Sequence, residues 1–305
     1  MGDTSPVFPY ARVVAVFACG FALCGSAHGK VSRWQSAVNA ASRTSQDARV
    51  LVVDIETNRV LASQQLGEAA RTVAAPGSTL KPLVLFQLLA QNRWNPGTRV
   101  ACTGDLMIGG HRMACSHPAA PAFDARQALA WSCNTYFAQV ARSLQPSELD
   151  GLLHSTGLLG PTGLVPGEAL ADFYPPQSPV QIELALLGVD GIRITPLELA
   201  EAYRWLGREL TSNPSSVATR TVLAGLADSA TFGMAGQAGL GGVSIAGKTG
   251  TAEGTDTART HGWFAGLAPA NQPRVVVVVF VPSGRGADAA HLASMILAGS
   301  PLRHR

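Results

Sequence analysis

The chain has 305 residues, 47% hydrophobic and 14% charged, with 23 Lys+Arg against 20 Asp+Glu. A charged fraction about half the usual ~25% argues against a disordered chain or a long coiled coil. A net charge of +3, with no Lys/Arg cluster anywhere, excludes a protein that tracks nucleic-acid phosphates.

Residues Val13 to Cys24 form an apolar run, VVAVFACGFALC, between Arg12 and Gly25-Ser26-Ala27. A positive flank, an apolar centre and a small-residue end read as a secretory signal. A spanning helix needs about 20 apolar residues, and this run is shorter. Residues 1–27 are therefore expected to be a signal peptide, or a membrane anchor if uncleaved. Residues 28–305 are expected to form a single domain working in the periplasm or on the outer face of the cytoplasmic membrane.

From about Gly29 to Asp47 the pattern is helical, with Trp34, Val38 and Ala41 on one face. Val50–Ile55 and Val60–Ser63 flank the turn Glu56-Thr57-Asn58 as a hairpin. A loop at 65–77 ends in Ala-Pro-Gly. Ser78 to Asn92 reads as an apolar helix that tolerates Pro82 because it falls in the first turn. Residues 126–143, 195–206 and 216–229 are helical in composition, and 232–242 is a Gly-rich loop. VSIAGKTGTAE, HGWFAGLAP and RVVVVVFVP read as three strands, and DAAHLASMILAG as a closing helix. Strands open and close the chain and helices fill the middle, which argues α+β rather than alternating α/β.

Beyond the leader the cysteines are Cys102, Cys115 and Cys133. Cys102 and Cys115 lie close together in a turn-like stretch, and in an oxidising compartment a disulfide is the simplest reading. His111 and His117 make a rival cluster with them, but its spacing matches no common zinc pattern. Cys133 reads as a small buried hydrophobe.

Three short motifs stand in order: Ser78-Thr79-Leu80-Lys81, Ser132-Cys133-Asn134 and Lys248-Thr249-Gly250-Thr251. Each alone is weak; together they are the set found in penicillin-binding proteins and class A β-lactamases. Ser78 opens an apolar helix, where unpaired N–H groups and the positive dipole end favour developing negative charge. Lys81 is one helical turn on, so it shares a face with Ser78. A serine hydroxyl needs a base to take its proton. A buried lysine beside a second cation, here Lys248, loses its own charge and becomes that base. Ser132 and Asn134 serve one site only if the chain turns there, so a break is predicted between 131 and 135. Alternation puts Thr249 and Thr251 on one face of a strand, where both hydroxyls reach a substrate carboxylate. Gly250 is expected to leave room for substrate against the strand. The N–H groups of Ser78 and Thr251 are the expected oxyanion hole.

With these motifs in place, the sequence resembles the transpeptidase domain of penicillin-binding proteins, acyl-serine D,D-peptidases of bacterial cell walls. AAPGSTLKPLVLFQLL, ALAWSCNTYFAQVA, GIRITPLELAEAYRWL, IAGKTGTAE and HGWFAGLAP carry the resemblance over roughly residues 48–285. It implies a five-stranded antiparallel sheet flanked by helices, with the site between that sheet and an all-helical part at roughly 79–220. It implies that Ser78 attacks the bond between two D-alanines of a stem peptide and that Lys81 takes its proton. Ser132 and Lys248 then relay and steer a proton toward the leaving amine. Asn134 braces Lys81 and binds the substrate backbone, while Thr249 and Thr251 hold the terminal carboxylate. No cofactor or metal is implied. The implied partners are peptidoglycan stem peptides and β-lactams, and a separate glycosyltransferase or scaffold, since the stretch before Ser78 is short. Carboxypeptidase or endopeptidase activity stays open, as does a non-catalytic sensor. For a β-lactamase the departures are two: Glu168 lies in Glu-Ala-Leu-Ala-Asp, not Glu-x-x-Leu-Asn, and Asn134 stands where class D members have Val.

Gly242 to Thr249 also fits a phosphate-binding loop, G-x-x-x-x-G-K-[ST], with Val50–Glu56 as a partner strand. That loop must follow a buried strand and open a helix. Here the interior is β-prone and no helix start follows. His261 reads more simply as a strand-end residue than as part of a cleft.

Overall fold

The computed structural model describes residues 1–2, 25–117, 120–253 and 259–303, with side chains from Arg33 onward. The expected signal segment therefore lies almost wholly outside the described residues. The first helix, α1 (Gly25–Ala41), buries Trp34, Val38 and Ala41 as its periodicity requires. It is followed by the hairpin β1 (Arg49–Asp54) and β2 (Val60–Gln64). The loop expected at 65–77 holds one short helical turn, α2 (Leu66–Ala69). A 3-10 turn, Gly77–Leu80, then leads into α3 (Lys81–Ala90), which has Pro82 in its first turn.

The middle of the chain is helical but not wholly so. It carries β3 (Val100–Cys102), β4 (Met107–Ile108), β5 (His111–Arg112) and β6 (Ala120–Phe123), then α4 (Ala125–Ala130), α5 (Asn134–Ala141) and α6 (Pro146–Ser155). After these come β7 (Asp172–Phe173), α7 (Pro179–Leu186), β8 (Ile192–Arg193), α8 (Pro196–Ser212), α9 (Val217–Thr231) and the short α10 (Gly236–Gly239). The expected all-helical part thus contains three two-stranded pairs, β3–β6, β4–β5 and β7–β8. These are pieces of two to four residues, too short to leave a period-2 signature. The chain closes with β9 (Ala246–Glu253), β10 (Thr260–Ala268), β11 (Val275–Val281) and α11 (Gly286–Ala298).

Five strands form one antiparallel sheet in the order β2-β1-β11-β10-β9. Its central strands are apolar without interruption because both faces are covered. Leu51, Val53, Val276, Val278 and Trp263 face the core shared with α8 and the helical part. Val50, Val52, Val277, Val279 and Phe264 face the core shared with α1 and α11. At one border of the sheet Gln35 of α1 engages both backbone groups of Ser63 in β2. Its Nε2 donates to Ser63 O at 2.9 Å, and its Oε1 accepts from Ser63 N at 3.1 Å. The opposite border is β9. No described helix is long and apolar enough to cross a membrane.

Candidate active site

Ser78 is delivered by the 3-10 turn at the head of α3. Its neighbour Gly77 has φ +56 and sits against β9, where a Cβ would meet Thr251 N and O at 2.9 Å. That conformation and that proximity both require glycine. The segment is pinned on every side. Trp263 Nε1 donates to Ala75 O at 2.9 Å, and His261 Nε2 lies 2.8 Å from the same oxygen. Gly77 N donates to Gly188 O at 2.9 Å, and Tyr203 Oη donates to Thr79 O at 3.0 Å. His261 is thus a buried brace, and burial lowers its pKa.

The turn expected between 131 and 135 is present. Asp124 and Gln127 form a reciprocal capping box that starts α4, and the helix stops at Trp131. Ser132 then adopts φ +57, a left-handed conformation unusual for a residue with a Cβ. Cys133 N donates to Ala128 O at 2.9 Å to close the turn, and Asn134 begins α5. The reversal brings Ser132 and Asn134 to one side.

The lysines converge on this turn from two directions. Lys81 Nζ lies 3.3 Å from Ser132 Oγ, 2.9 Å from Ser132 O and 2.7 Å from Asn134 Oδ1. Lys248 Nζ, from β9, lies 2.8 Å from the same Ser132 Oγ and 2.9 Å from Thr249 O. Both lysines are fully buried. Burial lowers the Lys81 ammonium to about 8. Lys248 is pushed well below the ordinary lysine range, first by burial and then by the charge of Lys81. Two buried cations sharing one hydroxyl disfavour each other's charge, which makes a neutral amine accessible at this site. Asn134 Nδ2 meanwhile donates to Ala114 O at 3.0 Å, which fixes the amide's orientation toward Lys81.

Ser78, Ser132, Asn134, Thr249 and Thr251 line one cleft of about 840 Å³. Thr249 and Thr251 share a face of β9 as alternation requires. Thr251 Oγ1 accepts from Gly286 N at 2.9 Å, leaving its proton available to a ligand. The expectation for Gly250 needs correction. A Cβ there would lie 2.4 Å from Pro76 O, so the glycine admits the nucleophile turn to the strand rather than substrate. A larger groove of about 1210 Å³, between α8, α9 and residues 270–274, contains none of the motif residues.

The expected Cys102–Cys115 disulfide also needs correction. The two sulfurs are unbonded in the structure, with Sγ atoms 3.4 Å apart. Cys133 joins them, so the sulfurs form a threesome rather than a pair. The alternative cluster with His111 is corrected as well: His111 is exposed on β5 at the cleft, and Cys133 takes its place. Glu168 accepts from Thr162 N and Gly163 N at 2.6 and 2.9 Å and caps its own loop. The phosphate-loop reading fails on geometry, because Gly247, Lys248 and Thr249 lie within strand β9, which runs on to Glu253 instead of opening a helix at the motif. Reading by motif missed Gly188, Tyr203 and Met234, the last a cleft residue whose carbonyl accepts from Thr249 Oγ1 at 3.4 Å. The first has φ +72, and a Cβ on it would collide with the Gly77 backbone; the others signal nothing locally.

A fold of this order, with three motifs meeting at one hydroxyl-lined cleft, defines a serine acyl-transfer architecture. The family model for the penicillin-binding protein transpeptidase domain matches residues 48–298, and the chain belongs to that family. The peptidoglycan D,D-transpeptidase PbpA of Mycobacterium tuberculosis is 27% identical over 258 residues, covering 73% of this chain and 52% of that protein. A probable peptidoglycan D,D-transpeptidase, PenA of Neisseria flavescens, is 24% identical over 282 residues, covering 78% and 70%. This chain spans about half the length, or less, of the PbpA relatives it matches. Among solved structures, the transpeptidase domain of Burkholderia pseudomallei penicillin-binding protein 3 superimposes with a TM-score of 0.77. Its identity is 22%, and the match covers 89% of this chain and 93% of that one. The α+β fold expected from the sequence is therefore the fold of this family.

Proposed function

We propose that the chain is a D,D-transpeptidase acting on peptidoglycan stem peptides and acylated by penicillins. One observation carries the reading: the amines of Lys81 and Lys248 meet on Ser132 Oγ, at 3.3 and 2.8 Å, in the cleft that Ser78 lines. Ser78 Oγ attacks the carbonyl between two D-alanines, and its proton passes to neutral Lys81. The N–H groups of Ser78 and Thr251 receive the developing oxyanion. The C–N bond breaks, and the departing D-alanine amine takes a proton through Ser132, with Lys248 orienting that hydroxyl. Asn134 holds Lys81, and the hydroxyls of Thr249 and Thr251 bind the terminal carboxylate. An amine of a second stem then attacks the ester, forming the cross-link and releasing Ser78. A β-lactam carbonyl enters the same path and stops at the acyl-enzyme.

Export to the periplasm, with residues 1–27 as signal or anchor, is part of the same reading and rests on the apolar run Val13–Cys24. So is a separate glycosyltransferase or scaffold partner. The deciding experiment incubates the chain with a fluorescent penicillin, denatures it and looks for covalent label. Label on wild type and none on Ser78→Ala is expected. Absence of label on wild type overturns the assignment, and rapid release of hydrolysed drug converts it to a β-lactamase.

A further inference from the structure

Beside the cleft, outside the machinery just described, four side chains point into one small volume. They are Cys102 from the end of β3, Cys115 and His117 from the segment after β5, and Cys133 from the turn between Ser132 and Asn134. Their ligand atoms all lie within 4.8 Å of one another. Cys102 Sγ is 3.4 Å from Cys115 Sγ and 3.9 Å from His117 Nε2. Around a tetrahedral zinc with metal–sulfur bonds of about 2.3 Å, neighbouring sulfurs stand about 3.8 Å apart. The two distances from Cys102 Sγ, 3.4 and 3.9 Å, bracket that spacing. Cys102, Cys133 and His117 are buried and Cys115 is half-buried, so the centre is largely withdrawn from solvent, as structural zinc sites are.

We propose that Cys102, Cys115, His117 and Cys133 bind one zinc-class divalent cation, and that this cation holds the Ser132–Asn134 turn in place. Three thiols and one imidazole are a recurrent structural zinc set, although the sequence spacing here is not a standard one. A disulfide between Cys102 and Cys115 would account for two of the four groups. It gives no reason for Cys133 and His117 to converge on the same point. The surroundings are those that orient ligands. Asn134 N donates to Cys115 Sγ at 3.3 Å, and Thr135 Oγ1 lies 3.4 Å from Cys102 Sγ. The His117 ring stands edge-on to Phe123 at 4.9 Å. Binding displaces the three thiol protons to solvent and leaves zinc in its divalent state, so no oxidant or reductant is involved. Because Cys133 separates Ser132 from Asn134, the cation ties the β3 and β5 segments to the residues that hold Lys81. It is a positioning element that touches no reacting atom.

The test uses the full chain purified without a metal-binding tag. Elemental analysis is expected to find about one zinc per chain. Removing it and adding Co²⁺ should produce a thiolate-to-cobalt charge-transfer band that is absent in a Cys102→Ser/Cys115→Ser double variant. Should that variant not fold, peptide-mapped alkylation of wild type decides. Cys102, Cys115 and Cys133 should be protected until a chelator is added and then modified together. A mapped Cys102–Cys115 disulfide overturns the site, as does a chain with three free thiols that takes up neither zinc nor Co²⁺. The positioning role has its own readout: the zinc-free chain should label with fluorescent penicillin about tenfold more slowly, recovering when zinc is restored. Unchanged labelling overturns that role alone. Metal content is read independently of labelling, so failure of the transpeptidase assignment and failure of the metal site are distinguishable.

Discussion

The two serines of the site reach the cleft by opposite backbone solutions. At Ser78 the left-handed conformation falls on the preceding Gly77, φ +56, and the serine itself sits in an ordinary 3-10 turn. At Ser132 the serine carries it, φ +57, despite its Cβ. The difference follows from what surrounds each turn. Gly77 lies so close to Thr251 that a side chain has no space, so the residue with no Cβ can absorb the turn there. In the second turn the flanking residues are committed, Cys133 to the buried thiol cluster and Asn134 to Lys81. Ser132 is the position left to bend. A non-glycine residue in that region costs about 1–2 kcal/mol, and here its neighbours hold it.

The sharpest way to separate the two turns is through the lysine that links them. Lys81→Met should slow acylation by penicillin about 10³-fold, the usual scale for a lost general base. A rate within tenfold of wild type would move the base elsewhere. Gly77→Ala comes next. With its Cβ directed at the Thr251 backbone, the Ser78 turn must shift, and acylation should fall about 10²-fold, the loss expected for a displaced oxyanion donor. Stopped-flow labelling measures both variants.

Acidity gives a smaller effect. Burial holds the Lys81 pKa at about 8, below the ordinary lysine value, and the base must be neutral. Below that pH the protonated fraction grows, so the acylation rate should drop about tenfold per pH unit on the acid side and level off above it. A rate independent of pH between 6 and 8 would contradict the assignment of the base. The smallest effect compares Ser132→Gly with Ser132→Ala. Both lose the hydroxyl, but glycine accepts φ +57 without a Cβ. In urea unfolding Ser132→Gly should be about 0.5–1 kcal/mol the more stable, net of the added freedom of its unfolded chain. The reverse order would show that the turn stores no strain.

Much of this was legible in the residues. The three motifs placed Ser78, Lys81, Ser132, Asn134 and Lys248 in one site because their chemistry needs a base, a relay and a second cation together. The break after Trp131 followed from a two-residue spacing that no continuous helix could use. The unbroken valines of β11 announced a strand buried on both faces. What stayed hidden depends on distance in sequence. Gly188 and Tyr203 fix the Ser78 segment through the backbone of Gly77 and Thr79, contacts set only by packing. Cys133 reads as a filler because its partners lie 16, 18 and 31 residues upstream, across two strand pairs too short to be seen. Gly250 reads as facing substrate for the same reason: the approaching Pro76 carbonyl belongs to a distant loop.

The sheet has two rims, and the chain treats them unequally. On the β2 rim the amide of Gln35 already occupies the donor and acceptor of Ser63, as a plug would. The β9 rim has no strand partner among the described residues and runs along the ligand cleft. Unpaired strand borders are where chains zip together into larger assemblies. A strand added to the sheet at β9 would therefore lie along the cleft and compete with a ligand for the same ladder.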